Sequence, residues 1–165
     1  MYLRVTTYKA RAMFCISVAQ RTLADFQKDR GLLQAPIPIE QLVQWLGFQV
    51  IPLSTVDDEF SALVSMKDKL IGLNANHHIH RKRFSIGHEL GHILLKHPPE
   101  SRCATYEIRL YNAEADFCAS ELLIPQAILA EWLGKTKNPV ELARIFNVSV
   151  EAMMRRISQA QNGEN

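Results

Sequence analysis

The sequence predicts a small α+β domain that is mostly helical and has a three-stranded, mainly antiparallel sheet ahead of its central helix. The central helix is indicated by FSIGHELGHILLKH (84–97), in which apolar residues recur at helical spacing before two prolines. The sheet is indicated by three short runs rich in strand-forming residues, at 48–53, 61–66 and 69–74. The 165 residues are enough for one compact core.

The composition is that of an ordinary globular protein and points to no partner class. The apolar fraction is 47%, the charged fraction 22% and the formal net charge +2. No apolar run approaches the length that spans a membrane. The stretch MFCISVA (13–19) faintly resembles a signal peptide, but it is short and lacks a leucine-rich core. Three cysteines without a CxxC pair favour a reducing, cytoplasmic location.

Two helices are predicted before the sheet. Residues 1–16 show no clear period and are left as an unassigned N-terminal extension. An amphipathic helix is predicted from Ser17, a candidate N-cap, to residue 30, and a shorter helix over 39–47. Within the sheet, Pro52 places the first strand at an edge or ends it, and a turn at 67–68 joins the other two strands as a hairpin.

The pattern HExxH in the central helix carries the chemistry of the chain. His88 and His92 are four residues apart, so both imidazoles project from one helix face and can bind the same metal ion. Zinc suits nitrogen ligands at this spacing, and Glu89 can take a proton from a water molecule on that ion. Gly91 is unfavourable inside a helix, so we expect another backbone to approach it closely.

A catalytic zinc ion held by two histidines needs one more protein ligand and an open position for water. Glu114, on a helix predicted over 114–125, is the candidate, and Asp116 and Glu121 are competing carboxylates. Glu121 is either a group that orients a ligand histidine or a solvated charge. Cys118 is a candidate metal-binding thiolate, although a small buried side chain is the favoured interpretation.

Two further segments flank this helix pair. Residues 100–112 are predicted to form a loop across the active face, in which Tyr106, Arg109 and Tyr111 are candidate donors to an oxyanion. Nothing in the sequence chooses among them, and surface packing is the alternative for each. The histidines of HHIHRKR (77–83) do not fall on one face, so a solvated helix entry is favoured and an electropositive rim is the alternative.

The C-terminal part is predicted to form three helices, starting near Pro125, Asn138 and Ser149, followed by a frayed tail at 159–165. Residues 138–157 also resemble a helix-turn-helix, with three arginines as candidate phosphate contacts: Arg144, Arg155 and Arg156. Binding to the phosphates of DNA requires a strongly positive surface patch. This chain has a net charge of only +2, so direct DNA binding is not expected.

Together these segments resemble the ImmA/IrrE family of metallopeptidases. RKRFSIGHELGHILLKH (81–97) is similar to the family's R-x-RF-x-x-x-HE-x-GH-x-LLH block, and EADFCASELLIP (114–125) to its EA[DN]xFAxxLLxP block. ELARIFNVSVEAMMRRI (141–157) is similar to its closing LAxxFxVSxxAxxxRL block. A GFQV strand and a hairpin ending in IGLN precede them, so we assign a single domain to residues 17–158.

The resemblance implies a small zincin-like fold, with His88, His92 and Glu114 as zinc ligands and Glu89 as the general base. Better-known members of the family cleave helix-turn-helix repressors of the XRE type. The resemblance therefore implies a protein substrate on a separate chain, since this sequence includes no fused DNA-binding domain. Cys118 departs from the family pattern, which usually has Phe at that position.

A zinc-dependent endopeptidase is the leading hypothesis from the sequence. A donor set of two histidines and one carboxylate also suits Mn²⁺ or Fe²⁺. The alternative is a non-catalytic module that binds metal, DNA or protein through its C-terminal helix pair, or senses redox state through Cys118. Glu89 argues against this alternative, because a structural zinc site closes all four positions and needs no base. The sequence leaves the substrate, the cleaved bond and the oligomeric state open.

Overall fold

The computed structural model describes residues 8–54 and 57–162 and confirms an α+β fold. The elements in chain order are α1 (Tyr8–Arg30), α2 (Ile39–Trp45), β1 (Gln49–Leu53), β2 (Ala62–Ser65), β3 (Leu70–Asn74), α3 (Ile79–Leu95), a 3₁₀ turn (Glu100–Arg102), α4 (Thr105–Leu123), α5 (Gln126–Leu133), α6 (Pro139–Phe146) and α7 (Val150–Asn162). No helix in the described ranges is both long and apolar enough to cross a membrane.

The sheet has the strand order β1–β3–β2 and is mixed rather than mainly antiparallel. The predicted hairpin is present: β2 runs antiparallel to β3, and Ser65 donates a 2.6 Å hydrogen bond to Asp68 in the turn between them. However, β1 runs parallel to β3, with Val50 opposite Ile71. Strand β3 lies at the centre because it pairs with both β1 and β2, and β1 forms the second edge of the sheet. Pro52 therefore lies in an edge strand, as predicted.

Helix α1 is described from Tyr8 onward, so residues 8–16 of the segment left unassigned are helical. Ser17 lies inside the helix, where its hydroxyl donates to the carbonyl of Phe14, and it is not the predicted N-cap. The first buried side chain of α1 is Cys15, so the turns before it show no apolar periodicity in the sequence. Residues 1–7 lie outside the described residues.

Helix α3 is longer than predicted at its start and ends close to the expected position. It begins at Ile79, with the His78 side chain accepting a hydrogen bond from the His80 amide. The turn before it is not simply solvated, because His77 is buried and its Nε2 lies 2.9 Å from the Asp58 carbonyl oxygen. Lys96 ends the helix in a left-handed conformation with φ 56°.

Helices α3 and α4 pack with their backbones in direct contact, which confirms the expected close approach at Gly91. A Cβ atom placed on Gly91 would lie 2.8 Å from both Cα and the carbonyl oxygen of Ala115. One turn earlier, a Cβ on Gly87 would lie 3.2 Å from the Cβ of Ala119. Small residues on both helices therefore set the distance between the two elements that bear the candidate site.

Helix α4 starts at Thr105, so the predicted loop over 100–112 is wrong for most of its length. The reason is a local cap: the Glu107 carboxylate accepts a 2.8 Å hydrogen bond from the Ala104 amide. Tyr106, Arg109 and Tyr111 consequently lie on a helix rather than on the predicted loop.

The C-terminal helices start at the predicted caps. The Asn138 side chain accepts a 3.0 Å hydrogen bond from Val140, and Ser149 accepts a 3.1 Å bond from Ala152. Helix α7 continues to Asn162, so residues 159–162 of the predicted frayed tail are helical. The last residues of that tail, 163–165, lie outside the described residues.

Two buried arginines attach the C-terminal helices to the rest of the domain. Arg83 of α3 donates to the carbonyl oxygens of Ile37 and Asn147, at 2.8 and 3.1 Å. Arg156 of α7 forms an ion pair with Glu121 of α4, and both side chains are almost completely buried. These bonds satisfy the guanidinium groups inside the core, where an unpaired charge would be strongly destabilising.

The Gly91 contact makes a direct prediction about stability. Gly91→Ala should lower the free energy of unfolding by about 1–3 kcal/mol, because the added methyl group overlaps the Ala115 backbone. Alanine is otherwise favoured over glycine in a helix by about 1 kcal/mol. Urea unfolding followed by circular dichroism measures the change. Gly87→Ala is the control with a smaller expected loss, and a Gly91→Ala variant as stable as the native protein would contradict the contact.

Candidate active site

The two histidines of the HExxH pattern face each other on one side of α3. Nε2 of His88 lies 3.0 Å from Nε2 of His92, and the ring centroids are 4.8 Å apart. Two zinc–nitrogen bonds of about 2.05 Å at a tetrahedral angle separate their nitrogens by about 3.3 Å. A shift of a few tenths of an ångström therefore admits an ion between the two rings, so their donor chemistry fits a divalent metal.

An acidic side chain of α4 orients the first imidazole. Nδ1 of His88 lies 2.8 Å from the carboxylate of Asp116, which leaves Nε2 directed at His92. Burial lowers the pKa of His88, but the hydrogen bond and negative charge of Asp116 outweigh it and the pKa is raised overall. A carboxylate behind a ligand histidine is the usual way to fix its tautomer at a metal site.

A chain of polar contacts orients the second imidazole. Nδ1 of His92 lies 2.9 Å from Nδ1 of His97, and Nε2 of His97 lies 3.0 Å from the carboxylate of Glu114. Tyr111 stacks on the His97 ring at 4.5 Å between centroids. Arg11 of α1 completes the chain as an ion pair with Glu114. We call these four residues, from His92 through His97 and Glu114 to Arg11, the histidine relay.

The histidine relay contains residues that the sequence analysis missed. His97 follows the left-handed turn at Lys96, which brings its side chain back over the last turn of α3. Its position five residues after His92 is the only signal for it in the sequence. Arg11 belongs to the segment left unassigned, so nothing linked it to the site.

Burial and the neighbouring imidazoles keep His92 neutral. Burial lowers its pKa to about 4, and the charges of His88 and His97 act in the same direction. A neutral imidazole retains the lone pair that a metal ion requires. At neutral pH the His92 Nε2 atom is therefore available as a donor.

The structure does not bring Glu114 to the point where the two imidazoles converge. One of its oxygens contacts His97 and the other contacts Arg11. Among residues 8–54 and 57–162, no three His, Cys, Asp or Glu side chains form a group that could hold a metal ion. Asn112 of α4 lines a cavity beside the HExxH pattern, together with His88 and Glu89.

Glu89 is partly buried beside the imidazoles. Burial raises its pKa, and the negative charge of Glu100 adds to this, while His88 lowers it. Glu89 lines a cleft of about 500 Å³ between α3 and strand β2, together with Leu63 and Val64 of that strand. A carboxylate with a raised pKa in an open cleft suits a group that accepts a proton during a reaction.

The remaining predicted site residues lie away from the imidazoles. Tyr106 and Arg109 are exposed on α4, Tyr106 to 71%. Glu121 neither orients a histidine nor is solvated, because it is buried against Arg156 and accepts bonds from Gln20 and the Gln126 amide. Groups that orient the two histidines are present as expected, but they are Asp116 and the histidine relay rather than Glu121.

Cys118 is a small buried side chain, as favoured, rather than a metal-binding thiolate. It is inaccessible to solvent, and burial raises the pKa of its thiol to about 12, with Cys15 and Glu121 adding to the shift. A thiol with that pKa stays protonated at neutral pH, and the thiolate is the form that binds metal.

The candidate phosphate contacts of the C-terminal helix pair are mostly engaged within the protein. Arg156 is buried in its ion pair with Glu121. Arg155 is exposed but pairs with Glu151 at 2.9 Å on the same helix. Arg144 is exposed. Within the part of the chain that the structure describes, Arg144 alone of the three is exposed without an acidic partner, which offers little of the positive surface that DNA binding requires.

Comparison with known proteins now identifies the family. The family model for the IrrE N-terminal-like domain, Peptidase_M78, matches residues 46–158. The chain belongs to this family. The matched region contains the sheet, both histidines, Glu89 and the C-terminal helices, and the family is one of metallopeptidases, which implies a metal cofactor. None of the curated proteins compared with the sequence matches it.

A solved structure supports the fold independently. A Mycobacterium tuberculosis transcriptional regulator superposes with a TM-score of 0.64 over 94% of this chain, at 14% sequence identity. This chain corresponds to 48% of that protein, so it spans about half the regulator's length. At this identity the similarity shows a shared fold.

The buried ion pair of Glu121 and Arg156 makes a prediction about the stability of the fold that does not involve the candidate metal site. Glu121→Ala should lower the free energy of unfolding by about 3–5 kcal/mol, because it leaves the Arg156 guanidinium buried without its partner. Glu151→Ala, which removes the exposed partner of Arg155, is the matched control and should cost less than about 1 kcal/mol. Chemical unfolding of both variants measures the difference, and equal losses would contradict the assignment.

Proposed function

We propose that this chain is a metal-dependent endopeptidase in which Nε2 of His88 and Nε2 of His92 bind one zinc ion. The observation that carries the proposal is the convergence of these two atoms at 3.0 Å while a separate polar partner holds each Nδ1 atom. When bound, the metal would polarise a peptide carbonyl and lower the pKa of a coordinated water molecule. Mn²⁺ or Fe²⁺ are alternative occupants, since two imidazoles do not determine the metal.

Glu89 acts as the general base in this proposal. It follows His88 directly, lines the same cleft and has a pKa raised by burial, so its carboxylate is a better proton acceptor than a solvated one. It takes a proton from the attacking water and then delivers that proton to the nitrogen of the leaving amine. Loss of that proton returns the Glu89 carboxyl group to its ionised state for the next cycle.

The cleft beside Glu89 supports an extended peptide as the substrate. Strand β2 is an edge strand, so the backbone groups on its outer side have no partner strand within the described sheet. Leu63 and Met66 expose apolar surface at this edge, at 47% and 52%. A peptide that adds to the edge as a further strand would cross the cleft above Glu89 and His92.

The proposed substrate is a separate helix-turn-helix repressor of the XRE type, as the family resemblance implies. The fold shared with a transcriptional regulator is compatible with a role in gene control. Three free cysteines, two of them buried, support a reducing compartment such as the cytoplasm. Direct DNA binding by this chain is not part of the proposal.

Replacing the base tests the proposed chemistry. Glu89→Gln should retain zinc and the native fold but lose at least a hundredfold in cleavage rate, because an amide cannot accept the proton from water. Cleavage of an unfolded repressor segment, followed by mass spectrometry, provides the rate, and inductively coupled plasma mass spectrometry provides the zinc content.

His92→Ala is the companion variant and should lose both zinc and cleavage. A Glu89→Gln protein that cleaves at the native rate, in a preparation free of other proteases, would contradict the proposed mechanism. Zinc binding without cleavage in the native protein would indicate a non-catalytic, metal-binding module instead.

A further inference from the structure

We propose that a cavity between α3, α4 and α7 is a second substrate-binding subsite, which takes an apolar segment of the peptide with an acidic residue beside it. Arg81, where this cavity meets the catalytic cleft, binds the acidic residue. The inference rests on the proposed peptidase function and adds the substrate chemistry that this function leaves open. It also gives a role to the basic segment before α3, for which an electropositive rim was the alternative interpretation.

The cavity, which we call the α7 cavity, has a volume of about 540 Å³ and a largely apolar lining. Leu123, Ile124 and Val148 line it with buried side chains, and the rings of Phe84 and Phe117 are half-buried in it. Ligand pockets typically measure about 300–1,000 Å³ and combine apolar surface with a few polar groups. The α7 cavity is larger than one side chain requires, so it suits neighbouring side chains of a peptide segment.

The α7 cavity adjoins the catalytic residues. Arg81, Phe84 and Asp116 line both this cavity and the smaller one, of about 360 Å³, that contains His88 and Glu89. Phe84 lies one turn before His88 on α3, and the centroids of the two rings are 6.5 Å apart. A peptide that lies over Glu89 can therefore continue past Phe84 into the α7 cavity, so the two cavities form one continuous binding surface.

Arg81 provides a positive charge where the two cavities meet. Its side chain is exposed, and its Nη2 donates 3.1 Å hydrogen bonds to the carbonyl oxygen of Asp58 and the hydroxyl of Ser61. Both acceptors are uncharged, and Arg81 forms no ion pair with any residue in the described part of the chain. The guanidinium is thus held in place while its charge stays unbalanced, which favours a carboxylate as its partner.

The other ionised groups that line the α7 cavity are already paired. Asp116 is bonded to His88, and Arg155 forms an ion pair with Glu151 on the same helix. Arg81 is therefore the charge that discriminates among peptides. An acidic residue beside the apolar segment gains an ion pair with it, whereas a basic residue at the same place is repelled.

The test is affinity selection from a random library of synthetic decapeptides on the immobilised whole protein in the presence of zinc. The protein carries Glu89→Gln, so that bound peptides are not cleaved, and mass spectrometry identifies the retained sequences. We expect Asp or Glu next to Leu, Ile or Phe to be enriched about threefold to fivefold, which is the range that a partly exposed ion pair provides.

Two further substitutions in the Glu89→Gln protein separate the charge from the cavity. Arg81→Gln should abolish the enrichment in acidic residues and retain that in apolar residues. Ala152→Trp places a ring in the cavity from α7 and should abolish the apolar enrichment. The matched controls are Arg21→Gln, at an exposed arginine outside the cavity, and Met154→Trp, at an exposed position of α7. Both controls should select the same peptides as the parent protein.

Equal selection by the parent protein, Arg81→Gln and Ala152→Trp would overturn the inference, as would retention of no peptide. Ala152→Leu, a smaller insertion, replaces the tryptophan variant if circular dichroism shows that variant to be unfolded. Analytical ultracentrifugation adds a further check. A dimer that dissociates in Ala152→Trp but not in Met154→Trp would also overturn the inference, because a second copy of the chain would then cover the cavity.

The outcome for the subsite can be distinguished from the outcome for the reaction. Peptides that are selected through Arg81 but are not cleaved by the native, zinc-loaded protein support the subsite and contradict the proposed reaction. Cleavage of the same library at sites without a nearby apolar and acidic pair contradicts the subsite alone. Cleavage with that pair on one side of the cleaved bond, and loss of the acidic preference in Arg81→Gln, supports both.

Discussion

The contact between the backbones of α3 and α4 is the constraint on which the candidate site depends. Gly91 and Ala115 let the two helices approach closely enough for the short side chain of Asp116 to reach the His88 imidazole. With a larger residue at Gly91 the helices would move apart, and the Asp116 carboxylate would no longer reach the His88 ring. A local steric requirement therefore sets the geometry of the polar groups.

The polar groups behind the imidazoles form two separate supports. Asp116 holds His88 directly, whereas the histidine relay holds His92 through His97 and Glu114 and ends at Arg11 on α1. Both supports engage Nδ1 and direct Nε2 toward the same point. The N-terminal helix is therefore linked to the candidate site through an ion pair, although it contributes no group to the cleft itself. This arrangement is typical of metal sites, where outer partners determine ligand orientation.

The sequence was sufficient for features that depend on local pattern. The HExxH helix, the hairpin of β2 and β3, the caps at Asn138 and Ser149 and the close approach at Gly91 all follow from spacing and residue type. Features that depend on tertiary packing could not be predicted in this way. The parallel pairing of β1 and the burial of Glu121 arise from contacts between distant segments.

The most direct test of the account is the number and kind of ligands around zinc in the loaded protein, measured by X-ray absorption spectroscopy on a sample of known zinc content. The account predicts one zinc ion per chain with two imidazole nitrogens, the remaining donors being oxygen, and no sulfur. Failure to bind zinc, or a zinc ion bound through fewer than two imidazole nitrogens, would contradict the central claim that His88 and His92 together form the metal site.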